Sequence, residues 1–260
     1  MRFFRSTLAV SARGAATVLL ALGLLSATGA CRRSPGFEPA RFTSTDELYA
    51  ASLQQFEQQR WGNAVRGFEK LTTDLPPRDA RLPLAYYYLG QAQVKLRDHL
   101  IAAQTYSRLS ANFPDDTLAD DALLAGARAY QRLWRSPGLD AEYGQSALQL
   151  FQTLLAVYPS SPLAPEAQTG VARLEQMFAT KDYDTGYHYM KRRAYDSAII
   201  YFKDAIRKYP STPKAREAYL RLLESYREIN YREEAREICE TMRAAYPTDS
   251  EVSRACPATG

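Results

Sequence analysis

Few residues in this 260-residue chain have an obvious capacity for chemistry. Asp115, Asp116, Asp120 and Asp121 crowd into PDDTLADDA, a carboxylate density that would suit calcium. They follow a proline and open an apolar helical run. There, carboxylates and Thr117 cap free amides and suit the helix dipole, which is the better assignment. The two histidines, His99 and His188, have no histidine or cysteine at ligand spacing, so no metal is expected. The chain lacks a glycine-rich phosphate loop and a strand-to-helix nucleophile turn. No catalytic residue is assigned and no cofactor is expected. Lys191, Arg192 and Arg193 in MKRRAY read first as cations at a helix C-terminus, and second as a docking patch.

The cysteines carry more information. Cys31 ends LLSATGAC, after an apolar run from Ala15 to Ala27 and a start holding Arg2, Arg5 and Arg13. The run is too short to span a bilayer of about 30 Å and has the charge order of an export leader. Small residues before the cysteine match a bacterial lipoprotein signal, with cleavage before Cys31 and lipid as its only covalent addition. Thr28 stands where leucine is usual. RRSPGFEPA then reads as a short tether. Residues 1–30 contain three arginines and no acids, so removing them lowers the formal charge from +4 to +1. A near-neutral chain gives no argument for nucleic acid, although Arg32 and Arg33 can touch anionic headgroups. Cys239 and Cys256 remain: a packed thiol is the default at Cys239, and a Cys239–Cys256 disulfide in an oxidising compartment stays open.

The elements that position these residues are helical. A small residue, a large one four later and a proline eight after that recur five times. The sets are Ala64, Phe68, Pro76; Ala102, Tyr106, Pro114; Ala147, Phe151, Pro159; Ala198, Phe202, Pro210; and Ala235, Cys239, Pro247. Positions four apart share a helix face. The alanine admits a neighbouring helix, the ring fills the space beside it, and the proline stops the helix. Before each proline stands Leu75, Phe113, Tyr158, Tyr209 or Tyr246, an apolar plug. Gly90 and Gly186 each lie twelve residues ahead of their alanine. The pattern resembles the tetratricopeptide helix–turn–helix of about 34 residues.

The alanine-to-alanine steps of 38, 45, 51 and 37 exceed that period, so the array carries insertions. Pro137 and Gly138 mark one as a loop in WRSPGLDAEY. Ala164, Ala167, Val171, Leu174 and Phe178 give the other helical periodicity, expected to run on into the helix carrying Gly186. The fold expected is all-α: a right-handed superhelical array of about five hairpins with one extra helix after the third. Residues 1–30 form the leader and 31–45 a flexible tether. Residues 46–160 hold repeats one to three, 161–250 the extra helix and repeats four and five, and 251–260 a flexible tail.

The lipoprotein signal, the repeats and the segment from YPSSPLAPEA to LRLLESYREI resemble the BamD family, lipoproteins of the outer-membrane β-barrel assembly machinery. Arg193 departs from the family's glycine in its turn. The resemblance implies a non-enzymatic protein, anchored through Cys31 and facing the periplasm. It implies amino-terminal repeats that receive unfolded β-barrel proteins, and carboxy-terminal repeats that dock on the periplasmic domains of the BamA insertase, beside other assembly lipoproteins. First helices of such repeats line a concave surface. That places Tyr49, Leu53 and Phe56, then Tyr87, Gln91 and Lys95, then Tyr130 and Gln131 in a client groove, with Lys95 set to meet a peptide carboxylate. Lys191, Arg192 and Arg193 fall on the docking half. The alternatives are a periplasmic adaptor of the Tol–Pal kind, disfavoured because no heptad run precedes the repeats, and an enzyme or solute-binding lipoprotein, for which no constellation exists.

Overall fold

The computed structural model describes residues 36–257; Cys31 and the leader lie outside them. Among the described residues there are helices and no strands. Ten helices pair in chain order. They are α1 (Thr45–Glu57) with α2 (Trp61–Asp74), α3 (Arg81–Lys95) with α4 (His99–Asn112), and α5 (Ala119–Leu133) with α6 (Glu142–Val157). Then come α7 (Ala164–Lys191) with α8 (Tyr195–Lys208) and α9 (Pro213–Glu228) with α10 (Arg232–Ala245), before a short α11 (Ser250–Ala255).

The recurring residues are the core. Ala64, Ala102, Ala147 and Ala198 are 0% exposed, and their partner rings are at most 2% exposed. Gly90 and Gly186 show why the first helix carries glycine: an added Cβ would sit 2.6 Å from the Tyr106 ring and 2.8 Å from the Phe202 ring. The residue before each proline caps α2, α4, α6, α8 or α10, because a following proline disfavours helical geometry. Each plug then packs back. Phe113 meets Tyr86, Tyr209 stacks on Phe178 and Tyr246 meets Tyr219 edge-on, with centroids 5.9–6.2 Å apart. The Tyr158 hydroxyl donates to the Pro114 carbonyl at 2.6 Å.

The turns inside four pairs share one device. Gln59, Arg97, Arg193 and Asn230 adopt φ of 58, 68, 61 and 60°, the left-handed region. Arg193 therefore keeps the turn that its non-glycine identity brought into question. A side chain there costs about 1–2 kcal/mol. Arg193→Gly is expected to stabilise the chain by up to about 1 kcal/mol in denaturant unfolding, since glycine's own chain entropy offsets part of the gain.

The turn of the third pair is longer and is anchored. Trp134 is 1% exposed and lies 4.4 Å from Phe178. The Lys181 ammonium donates to the carbonyls of Pro137 and Leu139 at 3.1 and 2.9 Å. The extra helix runs on, as expected, into the helix carrying Gly186. α7 is one 28-residue helix of about 42 Å. Its first half buries Ala167 and Leu174 with α6, and its second half buries Tyr183 and Gly186 with α8.

Both termini depart from expectation. Residues 37–42, placed in the tether, pack on α2: Phe37 and Phe42 lie 5.7 Å apart, and Phe37 reaches Gly67. Residues 250–256, placed mostly in a loose tail, form α11 and its cap, with Val252 1% exposed. Cys239 is not a free thiol. It is bonded to Cys256, 17 residues on. Its slot in the last pair is half-buried because no further pair covers it, and α11 closes that end with Leu223 and Met242. Arg216 clamps α11 through Asp249 and Glu251, and holds the Asp249 carboxyl well below its ordinary value.

Candidate functional site

Two surfaces face away from the helix-pair cores. On the first three pairs the structure gathers some of the expected groove residues and redirects others. Tyr49, Leu53 and Phe56 are half-buried on α1. Tyr49 meets Phe68 edge-on at 6.3 Å, and Phe56 sits 5.1 Å from both Trp61 and Tyr88. They form a packed aromatic ridge with part of each ring open to solvent. Tyr87 rests on Tyr106 at 5.9 Å with Gln91 beside its hydroxyl, and burial pushes its pKa up. Lys95 leans the other way, its ammonium 5.8 Å from the Trp61 ring.

The charged groups near Tyr87 come instead from α5. Asp121 and Arg128 both act on its hydroxyl. Burial raises the Asp121 pKa, with Asp120 adding to it. Arg128 also pairs with Glu166 of α7. The cation near Tyr87 is thus Arg128, while Lys95 lies against the Trp61 ring. The seven-residue spacing of Asp121 and Arg128 along one helix face was visible in the sequence, but the nearness of these α5 side chains to Tyr87 was not.

Tyr130 packs against the same cluster of buried residues as Tyr87. Tyr130 stacks on Tyr143 of its own pair at 6.2 Å, and the Gln131 amide nitrogen is buried without a partner. The aspartate cluster behaves as a helix start, though not through Thr117. Asp116 accepts the Leu118 amide at 2.9 Å, and Asp120 accepts the Ser161 hydroxyl at 2.5 Å. Among the described residues no three potential ligands converge on a metal site. His99 is half-buried with Nδ1 unpartnered, and burial together with Arg132 and Arg135 lowers its pKa. His188 is exposed against the edge of Tyr189.

The last two pairs carry a different surface. Tyr183 and Tyr187 stack 6.1 Å apart on α7. Lys214 lies 4.3 Å from the first ring, and Lys191 and Arg221 lie 5.0 and 5.6 Å from the second. Beside them opens a cavity of about 660 Å³ lined by Arg216, Arg221, Arg227, Glu224 and Glu251. On the outer side, Ile200, Ile206, Tyr219, Leu222 and Ile238 line an apolar cleft of about 440 Å³ between α8, α9 and α10, with Ile200 61% exposed. Lys191, Arg192 and Arg193 line neither cavity; they sit at the turn between α7 and α8, where Lys191 reaches the Tyr187 ring.

The chain is 26% identical over 225 residues to the outer membrane protein assembly factor BamD of Vibrio cholerae, covering 81% of this chain and 89% of that protein. It is 23% identical over 254 residues to the BamD of Caulobacter vibrioides, covering 96% and 80%. Among solved structures, the P58(IPK) TPR domain gives a TM-score of 0.44 at 11% identity, covering 81% of this chain and 54% of that one. At that score the fold rests on the helix pairs themselves. The model of the YfiO family, described as outer membrane lipoprotein, matches residues 42–242. That match spans well over half of the sequence, and the chain belongs to the YfiO family of outer membrane lipoproteins, with BamD assembly factors among its relatives.

Proposed function

We propose that this outer-membrane-protein assembly factor is a non-enzymatic scaffold with two working ends. The first three pairs receive unfolded β-barrel proteins, with Tyr49, Phe56, Tyr87 and Gln91 contacting apolar side chains and Arg128 meeting a terminal carboxylate. The last two pairs dock on the periplasmic domains of a BamA-like insertase, through the apolar cleft around Ile200 and the charged rim beside it. The observation that carries this reading is the separation of two unlike surfaces. One is aromatic and amide-rich on α1 and α3, and the other is an exposed aliphatic cleft on α8–α10. Affinity capture from solubilised membranes tests it. Recovery of a large β-barrel with periplasmic domains supports the assembly role, and recovery of Tol–Pal components in its place contradicts it.

The location follows from the same reading: the chain is anchored in the outer membrane by lipid on Cys31 and faces the periplasm. Other assembly lipoproteins are its expected neighbours. Cys31→Ala is expected to move the protein to the soluble fraction or leave it uncleaved. An intact mass showing unmodified Cys31 after cleavage elsewhere contradicts the anchor.

A further inference from the structure

We propose that the edge formed by the turns inside the second, third and fourth helix pairs is a docking surface for an anionic phospholipid bilayer. The proposal rests on the reading above only for the nearness of a membrane; the surface itself comes from charge and geometry. Segments 95–98, 132–141 and 191–194 hold seven cations against two acids, Asp98 and Asp140. The cations are Lys95, Arg97, Arg132, Arg135, Lys191, Arg192 and Arg193, and all are exposed. The opposite edge, segments 75–80, 113–118 and 158–163, holds one cation against three acids.

Pairing separates the two kinds of cation. Among the described residues none of those seven is in an ion pair. Elsewhere Arg81, Arg128, Lys208 and Arg216 each reach a carboxylate. Unpaired cations set in a row keep their full field for an external anion. Two apolar tips stand among them, Leu96 at 41% and Leu139 at 50% exposure. The Leu139 loop is held in place by Lys181, and Arg97 and Arg193 are fixed by their left-handed turns. Cations spread over three turns with isolated apolar tips fit a broad, diffuse anionic plane. A protein interface instead gathers its apolar residues in one central patch with charge depleted there.

The path of the chain agrees. Pro39 and Ala40 lie against Glu69–Thr73, and Phe37 lies against Gly67. Followed backwards, the backbone thus climbs α2 toward Trp61, the end that carries the turn of the first pair. From Gly67 to Trp61 that helix rises about 9 Å. Phe37 lies six residue steps from Cys31, a covalent reach of at most about 21 Å. A lipid on Cys31 therefore keeps the turn of the first pair, at the same end of the helices as this edge, within reach of the bilayer.

Vesicle co-sedimentation tests the edge without the lipid. Among the described residues the core clusters and the side chains packed on them lie between Phe37 and Cys256, so the chain is used as residues 31–260 carrying Cys31→Ser. Binding is expected to vesicles of phosphatidylglycerol and phosphatidylethanolamine, to fall as salt rises, and to be absent on phosphatidylcholine. A cation near an anionic surface contributes about fivefold to partitioning. Reversing Arg97, Arg135, Arg192 and Arg193 to glutamate is expected to lower it more than a hundredfold. Reversing Arg41, Arg78, Arg108 and Arg173, with the same change in net charge, is expected to lower it far less. Leu139→Asp alone should weaken it about tenfold. Equal losses in both sets of reversals, equal binding to neutral vesicles, or no binding by the parent chain overturns the proposal. So does loss of insertase capture by the edge variant when the parent ignores vesicles, which would give the edge to an acidic protein. Failure of the anchor appears separately, in the mass of Cys31.

Discussion

Phe202→Ala is expected to cost about 3–5 kcal/mol of stability. The ring is 0% exposed and touches every part of the fourth pair's interior. It lies against Gly186, 5.7 Å from the Tyr183 ring, in a cluster with Ala198, Ala205 and Leu222. Gly186 has no side chain with which to refill the cavity, and α7 is held on its far half by α6, so collapse is limited. Because each pair leans on its neighbours, the loss is expected first in the carboxy-terminal half, before α1–α6 unfold. Equilibrium denaturation read by circular dichroism and by tyrosine fluorescence measures it. A cost below about 1 kcal/mol shows that the ring is not the keystone of that pair.

Cys256→Ser is expected to cost about 3 kcal/mol, the chain-entropy value for closing a loop of this size. Cys256 is 2% exposed and stands beside Val252, Met242 and Leu223, so a serine hydroxyl there also loses its solvation. The Arg216 clamp on Asp249 is expected to persist at neutral pH, and to slow rather than prevent the release of α11. The depressed Asp249 value makes that contribution full above the ordinary 3.8 and lost as pH falls from there. Limited proteolysis near residue 250 and thermal melting check the expectation. Reductant acting on the parent chain should reproduce the variant. A melting temperature unchanged in both contradicts a structural role for the bond.

What the sequence disclosed follows from how local each feature is. Ala198, Phe202 and Pro210 lie within one helix and its stop, so their spacing alone locates α8 and the face it buries. Ala167, Leu174 and Phe178 likewise disclose α7 and its run into the helix carrying Gly186. Disulfide pairing is a matter of tertiary contact: Cys239 in an aromatic slot looks like a packed thiol until α11 is seen folding back onto it. The groove residues show the same limit. Tyr87 and Gln91 sit side by side on α3, while Lys95 reaches the Trp61 ring and Tyr130 the Tyr143 ring, both contacts between helices. Arg128 and Asp121 were missed because their relation to Tyr87 exists only once α4 packs between α3 and α5 and brings their side chains near it. Arg193 shows a different limit, since a turn built for glycine keeps its left-handed geometry with arginine in place.

The central claim is that client and insertase bind at different ends, and crossed variants measured against both partners test it most directly. Tyr87→Ala with Arg128→Glu is expected to weaken binding of a β-barrel C-terminal peptide at least tenfold, with capture of the insertase from membranes intact. Ile200→Glu, which places a charge in the exposed cleft on α8, is expected to abolish that capture and leave peptide affinity unchanged. If both folded variants lose both partners to the same degree, the two ends are one surface and the account is wrong.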